Sequence, residues 1–372
     1  MLRNSYVVLV FGLLNLLLVG CKSNNVQVIQ APKLAIMAEG ERLSPYQLNK
    51  RFLATIKQNG IMGASSFIDA DATLRHYKEA YDSHAEVSGE VFTKGLLKGL
   101  KSLDTLGEFN YLGTDEKGEG FWQSFYRFET DDGAFYFHLV WRDGRYLTDV
   151  KFESLSESVL GFAAIANSQT KLEKPQQEIF AKIIASLMRK DFVQAQSQLN
   201  SLSDAAKENV LLQVSLWKLA QATPSNESHS FVDELAKIIK PEDRTNIGWL
   251  QYYKRKKAHR QALELLNDAP DILKRDPFYI LEKSAIHLEV GDYSAVWRGI
   301  HDLFYLGGED FINYVFAAQL AINMKEFEYA VEILSVAEEK YELNFLKQDL
   351  AELDDGVEFV NSSAFKKWRG NS

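Results

Sequence analysis

Thiols are almost missing from this sequence: Cys21 is the one cysteine in 372 residues. An intrachain disulfide is impossible, and a cysteine-based metal centre has no second thiol to build on. Recognisable chemistry is equally sparse. There is no His-Glu-x-x-His, no phosphate-binding loop, no Gly-x-Ser-x-Gly and no glycine-rich dinucleotide turn. The seven histidines form no metal-ligand pair on a helix face. Positive charge is in deficit, with 42 Lys and Arg against 51 Asp and Glu, a net charge of −9. That balance disfavours non-specific nucleic-acid binding and broad adhesion to anionic lipid. The expectation is a non-enzymatic protein with no catalytic residue, metal or cofactor, and no nucleic-acid partner.

What is present starts at the N-terminus. Arg3 precedes an apolar run from Tyr6 to Val19, broken only by Asn15, and Gly20-Cys21-Lys22 follows. A positive start, an apolar stretch and a small residue at the cut read as a secretory signal peptide over residues 1–20. The run is too short for a membrane span, which needs about 20 residues. The Leu18-Val19-Gly20-Cys21 pattern resembles the lipobox of bacterial lipoproteins. That resemblance implies that the Cys21 thiol carries diacylglycerol, that the chain is cut before it, and that the new amine is acylated too. The plain alternative is a stray cysteine beside an ordinary signal peptide. Lys22, where the family's inner-membrane members carry aspartate, points to the periplasmic face of the outer membrane. Two or three acyl chains anchor stably. Loss of Arg3 leaves 41 basic against 51 acidic residues, so the mature chain is at −10. Residues 21–45 read as a lipidated tether whose polar start lifts the folded part off the lipid.

About 350 residues then remain, more than one core usually serves. Residues 46–166 read as an α+β domain. Helical patterns at 46–56, 72–81 and 89–103 precede aromatic and β-branched runs at 108–113, 121–129, 134–141 and 145–152. Asp132-Gly133 and Asp143-Gly144 separate these runs and signal hairpins. Alternation puts Phe135, Phe137, Leu139 and Trp141 on one apolar face, joined by Tyr146, Val150 and Phe152. Helices followed by an antiparallel meander resemble the cystatin-like, or nuclear-transport-factor-2-like, fold. That fold houses enzymes and inert modules alike, so it names no function.

Residues 167–175 read as a polar linker, and helical periodicity dominates beyond it. Four segments align there: KDFVQAQSQL from Lys190, KAHRQALELL from Lys257, GDYSAVWRGI from Gly291 and KEFEYAVEIL from Lys325. Their starts lie 67, 34 and 34 residues apart, the first interval being close to two units. A missing unit is expected at 208–222 paired with 230–239. A 34-residue two-helix unit resembles the tetratricopeptide repeat. Phe192, Tyr293 and Phe327 match its aromatic turn position, with His259 replacing it once. Ala195, Ala262 and Ala330 match its small crossing position, with Val296 there in the fourth unit and Ala295 one place early. Trp249-Leu250 and Tyr253 come near the family's first-helix pattern, from which the other first helices depart. The alternative is a generic helical bundle. About five repeats are expected over residues 176–342, an all-α solenoid, with residues 343–372 as a capping segment.

Chemistry-bearing side chains have plain readings beside sharper ones. His76 and His84 read as solvated helix surface, or else as a metal or acid–base site. His138 reads as a structural histidine, or else as a base in a pocket. Lys254-Arg-Lys-Lys257 with His259 and Arg260 forms a dense basic cluster, either a solubilising turn or a receptor for acidic ligands. In the repeat register Arg244, Gln251, Lys254, Arg255, Glu289, Gln319 and Asn323 face the concave side and are the candidate partner-binding residues. The favoured function is a lipid-anchored scaffold holding a protein or peptide partner in the cell envelope. The rival is ligand binding or catalysis in the α+β domain, with the repeats as a partner arm. Cys21→Ser removes the thiol that acyl transfer requires, so labelled palmitate incorporation should vanish; undiminished labelling would refute the anchor.

Overall fold

The computed structural model describes residues 43–81, most of 109–158, and most of 172–370. Outside it lie 1–42, nearly all of 82–108, 159–171, 371–372 and short stretches near 119, 131, 153, 210–224, 241–246 and 307–309. Cys21, the signal segment, His84 and most of the 167–175 linker therefore lie outside the described residues. The chain divides into two compact units, Met1–Gly248 and Trp249–Ser372.

An α+β domain opens the first unit. Helix α1 (Pro45–Asn59) starts where Ser44 and Gln47 cap each other and Pro45 fixes the first helical φ. A 3₁₀ turn (Ile61–Phe67) and α2 (Ala70–Tyr81) follow, the latter capped by the Asp69 carboxylate accepting from the Ala72 amide at 2.7 Å. Strands β1 (Phe109–Gly118), β2 (Phe121–Thr130), β3 (Gly133–Arg142), β4 (Tyr146–Phe152) and the two-residue β5 (Glu157–Ser158) pair in chain order. Every pairing is antiparallel. Asp143 and Gly144 close the β3–β4 hairpin with φ of 53° and 66°, as a left-handed hairpin turn requires.

The alternation read from the sequence puts Phe137, Leu139, Trp141 and Val150 into one buried cluster with Leu48, Phe52 and Phe67. Tyr146 is a correction: Leu147, not Tyr146, joins that cluster. Val140 pairs with Asp149 while Trp141 pairs with Leu147, so Thr148 is an extra residue. A bulge of one residue reverses the alternation beyond it. Phe52, Phe67 and Trp141 meet edge to face at 5.5–5.9 Å. A polar chain runs through this core. The Asn49 amide donates to Thr114 Oγ1 at 3.1 Å and accepts from the Tyr126 hydroxyl, and Ser124 Oγ accepts from Trp141 Nε1 at 3.1 Å. These bonds fix α1 to the sheet at one rotation, where apolar packing alone would allow sliding.

Beyond residue 172 the described chain is helical. Helices α3 (Lys174–Met188) and α4 (Phe192–Asn200) form a hairpin, and α5 (Asn226–Ile238) packs on α4. In the second unit α6 (Leu250–Arg255) pairs with α7 (His259–Asp268), α8 (Pro277–Glu289) with α9 (Tyr293–Tyr305), and α10 (Phe311–Asn323) with α11 (Phe327–Tyr341). The same turn closes four of these hairpins. Lys190, Lys257, Gly291 and Lys325 have φ of 63°, 53°, 75° and 64°. The next amide reaches back five residues each time: Asp191 to Ser186, Ala258 to Tyr253, Asp292 to His287 and Glu326 to Ala321, at 2.8–2.9 Å. This is the Schellman closure of a helix C-terminus, and it recurs at the sequence intervals of 67, 34 and 34.

Ala195, Ala262, Val296 and Ala330 are all buried where the paired helices cross. At Gly299 the helices of the α8–α9 hairpin come so close that a Cβ would lie 1.9 Å from Ser284 Oγ. Tyr293 departs from the expected aromatic position: it is 55% exposed and seals nothing. The end of the chain folds as α12 (Lys347–Ala351), α13 (Gly356–Asn361) and α14 (Ser363–Arg369). Leu350, Phe359 and Phe365 enter the cluster that contains Ala330, Ile333 and Leu334 of α11.

Lysine in left-handed backbone costs about 1–2 kcal/mol per residue, and glycine avoids that cost at some loss of unfolded-state entropy. Lys257→Gly should therefore raise stability by about 0.5–1 kcal/mol in urea unfolding, and Gly291→Ala should lower it by about 1 kcal/mol. Equal signs for the two substitutions would refute a shared turn geometry.

Candidate functional site

The seven residues expected on the concave face do not form one open surface. Arg244 caps the end of α5, where its guanidinium donates to the carbonyls of Ala236 and Ile239. Lys254 on α6 pairs with Glu282 on α8 at 2.5 Å, and both are half-buried. Glu289, at the end of α8, reaches His259 Nδ1 at 3.4 Å. The Gln319 and Asn323 side-chain amides face each other at 2.6 Å, and both lie against the Asp354 carbonyl of the capping segment at 2.9 Å. Gln251 is exposed, and Arg255 lies over the Tyr252 ring at 5.6 Å. The dense basic cluster is thus partly neutralised by acids from the following hairpin. What the first helices offer is an ion-paired seam with Gln251 and Arg255 at its edge.

A second constellation lies in the α+β domain, on the sheet face opposite the aromatic cluster. His76 is a correction, because it is not solvated helix surface. Its side chain is 5% exposed, held between α2 and the β3–β4 hairpin. Arg142 donates to His76 Nδ1 from Nε at 3.2 Å and from Nη2 at 3.0 Å. Since guanidinium can only donate, Nδ1 is the acceptor and the proton of neutral His76 sits on Nε2. That Nε2 lies 4.0 Å from the Asp149 carboxylate, which is fully buried. Arg142 also pairs with Glu79 at 2.8 Å and stacks over Phe121 at 4.1 Å. The Asp149 carboxylate accepts from the Val150 amide at 2.8 Å.

Burial, then the charges of Arg142 and Lys151, lower the His76 pKa to about 4. At 4.0 Å, without a direct hydrogen bond, Asp149 does not reverse that sum. His138, opposite Phe125 and Lys151 in the ladder, is buried with its ring 4.9 Å from Phe125. Arg127 is buried on the same face. The sheet therefore has one apolar face and one buried face carrying ionisable groups. Sequence reading missed Arg142 and Asp149. The alternation that set His138 opposite Leu139, and Asp149 opposite Val150, was the available signal.

Among the described residues no group of three or more His, Cys, Asp or Glu is placed to hold a metal ion. No helix among them is long and apolar enough to cross a membrane. No family model, curated protein or solved structure matches the chain.

The depressed histidine pKa has a signed consequence. Between the unfolded value near 6.5 and the folded value near 4, the unfolded chain binds the extra proton. His76 therefore costs stability as pH falls through that window, by about 2–3 kcal/mol between pH 7 and 4.5. Urea unfolding of His76→Gln should show a loss on acidification smaller by that amount than wild type. Identical acid losses would mean that His76 is not the titrating group.

Proposed function

We propose that this chain is a lipid-anchored envelope lipoprotein whose helical part is a tetratricopeptide-like solenoid serving as a non-enzymatic scaffold. The observation that carries the reading is the same left-handed turn at Lys190, Lys257, Gly291 and Lys325, in step with the sequence period. Repeated hairpins stacked in one register line one face with their first helices, and such faces hold extended peptides or partner helices. The Lys254–Glu282 pair, which joins two successive first helices, is the arrangement expected along that lining. The Cys21 lipobox supplies the address, with the α+β domain, of cystatin-like element order, standing between the tether and the repeats. The partner is a protein or peptide of the cell envelope.

A second reading has its own observation. The buried layer of His76, His138, Arg127 and Asp149, with the partly exposed Arg142 at its edge, suits a small-molecule or catalytic function in the α+β domain. Such groups are expensive to bury for stability alone.

A photo-crosslinking side chain at Gln251, which is exposed, tests the scaffold directly in the intact envelope. Crosslinking to one discrete protein is expected, and deletion of residues 46–166 should not abolish it. The double exchange Lys254→Glu with Glu282→Lys keeps the ion pair but reverses the local field. It should weaken capture severalfold while leaving the melting temperature within about 2 °C of wild type. Capture lost on deleting the α+β domain but untouched by the exchange would favour the second reading.

A further inference from the structure

The outer face of α9 carries an aromatic ridge that neither reading uses. Tyr293, Trp297, His301 and Tyr305 recur at every fourth residue. Residues at that spacing form a continuous row slanting along a helix. Ala295, Val296, Gly299, Ile300 and Leu303, on the other side of α9, supply its core contacts. Tyr293 is 55% and Tyr305 75% exposed. Tyr329 of α11 stands at right angles to Trp297 with ring centroids 4.8 Å apart, and the exposed Val336 extends the patch. The exposed rings and aliphatic groups amount to on the order of 500 Å², within the range where apolar patches mark interaction sites.

Beside this ridge runs a second one made of Ser294, Arg298 and Asp302. Arg298 is exposed, and the Asp302 side chain is 45% exposed, one turn further along. Both ridges are complementary to their own reversal. Tyr-Trp-His-Tyr read backwards sets ring against ring, and Arg298 with Asp302 read backwards sets cation against anion. A surface that matches its own reversal is what a two-fold interface requires, because each patch meets an identical copy.

We infer that the outer face of α9 and α11 is the isologous interface of a homodimer, in which α9 packs antiparallel on α9 of a second copy. The two-fold axis crosses the outer face of α9 at the level of Gly299, which itself points the other way, toward Ser284. Tyr293 then faces the tyrosine at position 305 of the second copy and Trp297 faces position 301, while Arg298 lies about 3 Å along the axis from the aspartate at position 302, within reach of its long side chain. A lipid surface fits this face less well, since the exposed acids Glu328, Glu332 and Glu339 lie on α11 beside it and repel an anionic bilayer. The inference does not depend on what the first helices bind.

The test uses the intact chain in the envelope of cells that express it. The ends of the ridge are about 18 Å apart along the helix axis, and a disulfide needs Cα atoms within about 7 Å. Tyr293→Cys combined with Tyr305→Cys should therefore crosslink under mild oxidation into a species of twice the protomer mass. Tyr305→Cys alone should crosslink at least tenfold less. In detergent-solubilised protein, Tyr305→Glu should convert a dimer to a monomer with an unchanged circular dichroism spectrum. Arg298→Asp should weaken the dimer, and adding Asp302→Arg should restore it. A monomeric wild type, equal crosslinking by the single-cysteine variant, or a dimer indifferent to Tyr305→Glu would each overturn the proposal. A monomer that binds phosphatidylglycerol vesicles through Tyr305 would make the face a lipid contact instead, and would overturn it as well.

Discussion

The turn between paired helices is the constraint on which the helical part depends. A helix ends only when its last carbonyls find partners, and the chain must then reverse within about three residues to begin the second helix. One left-handed residue followed by an amide reaching back five positions does both at Lys190, Lys257, Gly291 and Lys325. The reversal sets the crossing of the two helices, and the crossing sets the distance at which Ala195, Ala262, Val296 and Ala330 meet the facing helix. Small side chains at the crossing are thus a consequence of the turn. At Gly299 even a Cβ would collide with the Ser284 hydroxyl of the facing helix.

The α+β domain is organised by a different constraint. Its sheet is covered on both faces, so neither can be polar in the ordinary solvated manner. One face solves this with rings, Phe52, Phe67 and Trp141 meeting edge to face. The other accommodates His76, His138, Arg127 and Asp149, and each buried charge needs a partner of its own. Thr148 links the two arrangements. As the extra residue in β4, it directs Leu147 into the apolar cluster while Asp149 faces His76. A deletion at that position would exchange the faces of the adjoining residues, so the bulge belongs to the design of both cores.

Long-period features were legible in the sequence and short-range compensations were not. The meander follows from alternation and two Asp-Gly pairs, and the 34-residue register follows from four aligned segments. Both signals are sums over many residues, so one irregular position barely disturbs them. Single side chains have no such averaging. Tyr146 and Leu147 exchanged roles because one inserted residue shifts parity. His76 looked like exposed helix surface because the groups that bury it, Arg142 and Asp149, are more than sixty residues away. Arg244 looked like a concave-face residue because register alone cannot tell a projecting guanidinium from one capping the preceding helix.

The ion pairs of the second unit follow one pattern. Lys254–Glu282 and His259–Glu289 each run from one hairpin to the next, and Lys325–Glu358 runs from the last hairpin to the capping segment. Solvent-screened pairs of this kind add little to stability, so stacking rests on apolar contact and the charges fix register between neighbours. A ligand carboxylate reaching Lys254 must displace Glu282, leaving that acid to find solvent or a new cation. Recognition there is an exchange, and its net gain is small unless the ligand brings a donor for Glu282 as well. On the proposed scaffold reading, such a seam selects ligands presenting both signs of charge in the right order over simple polyanions.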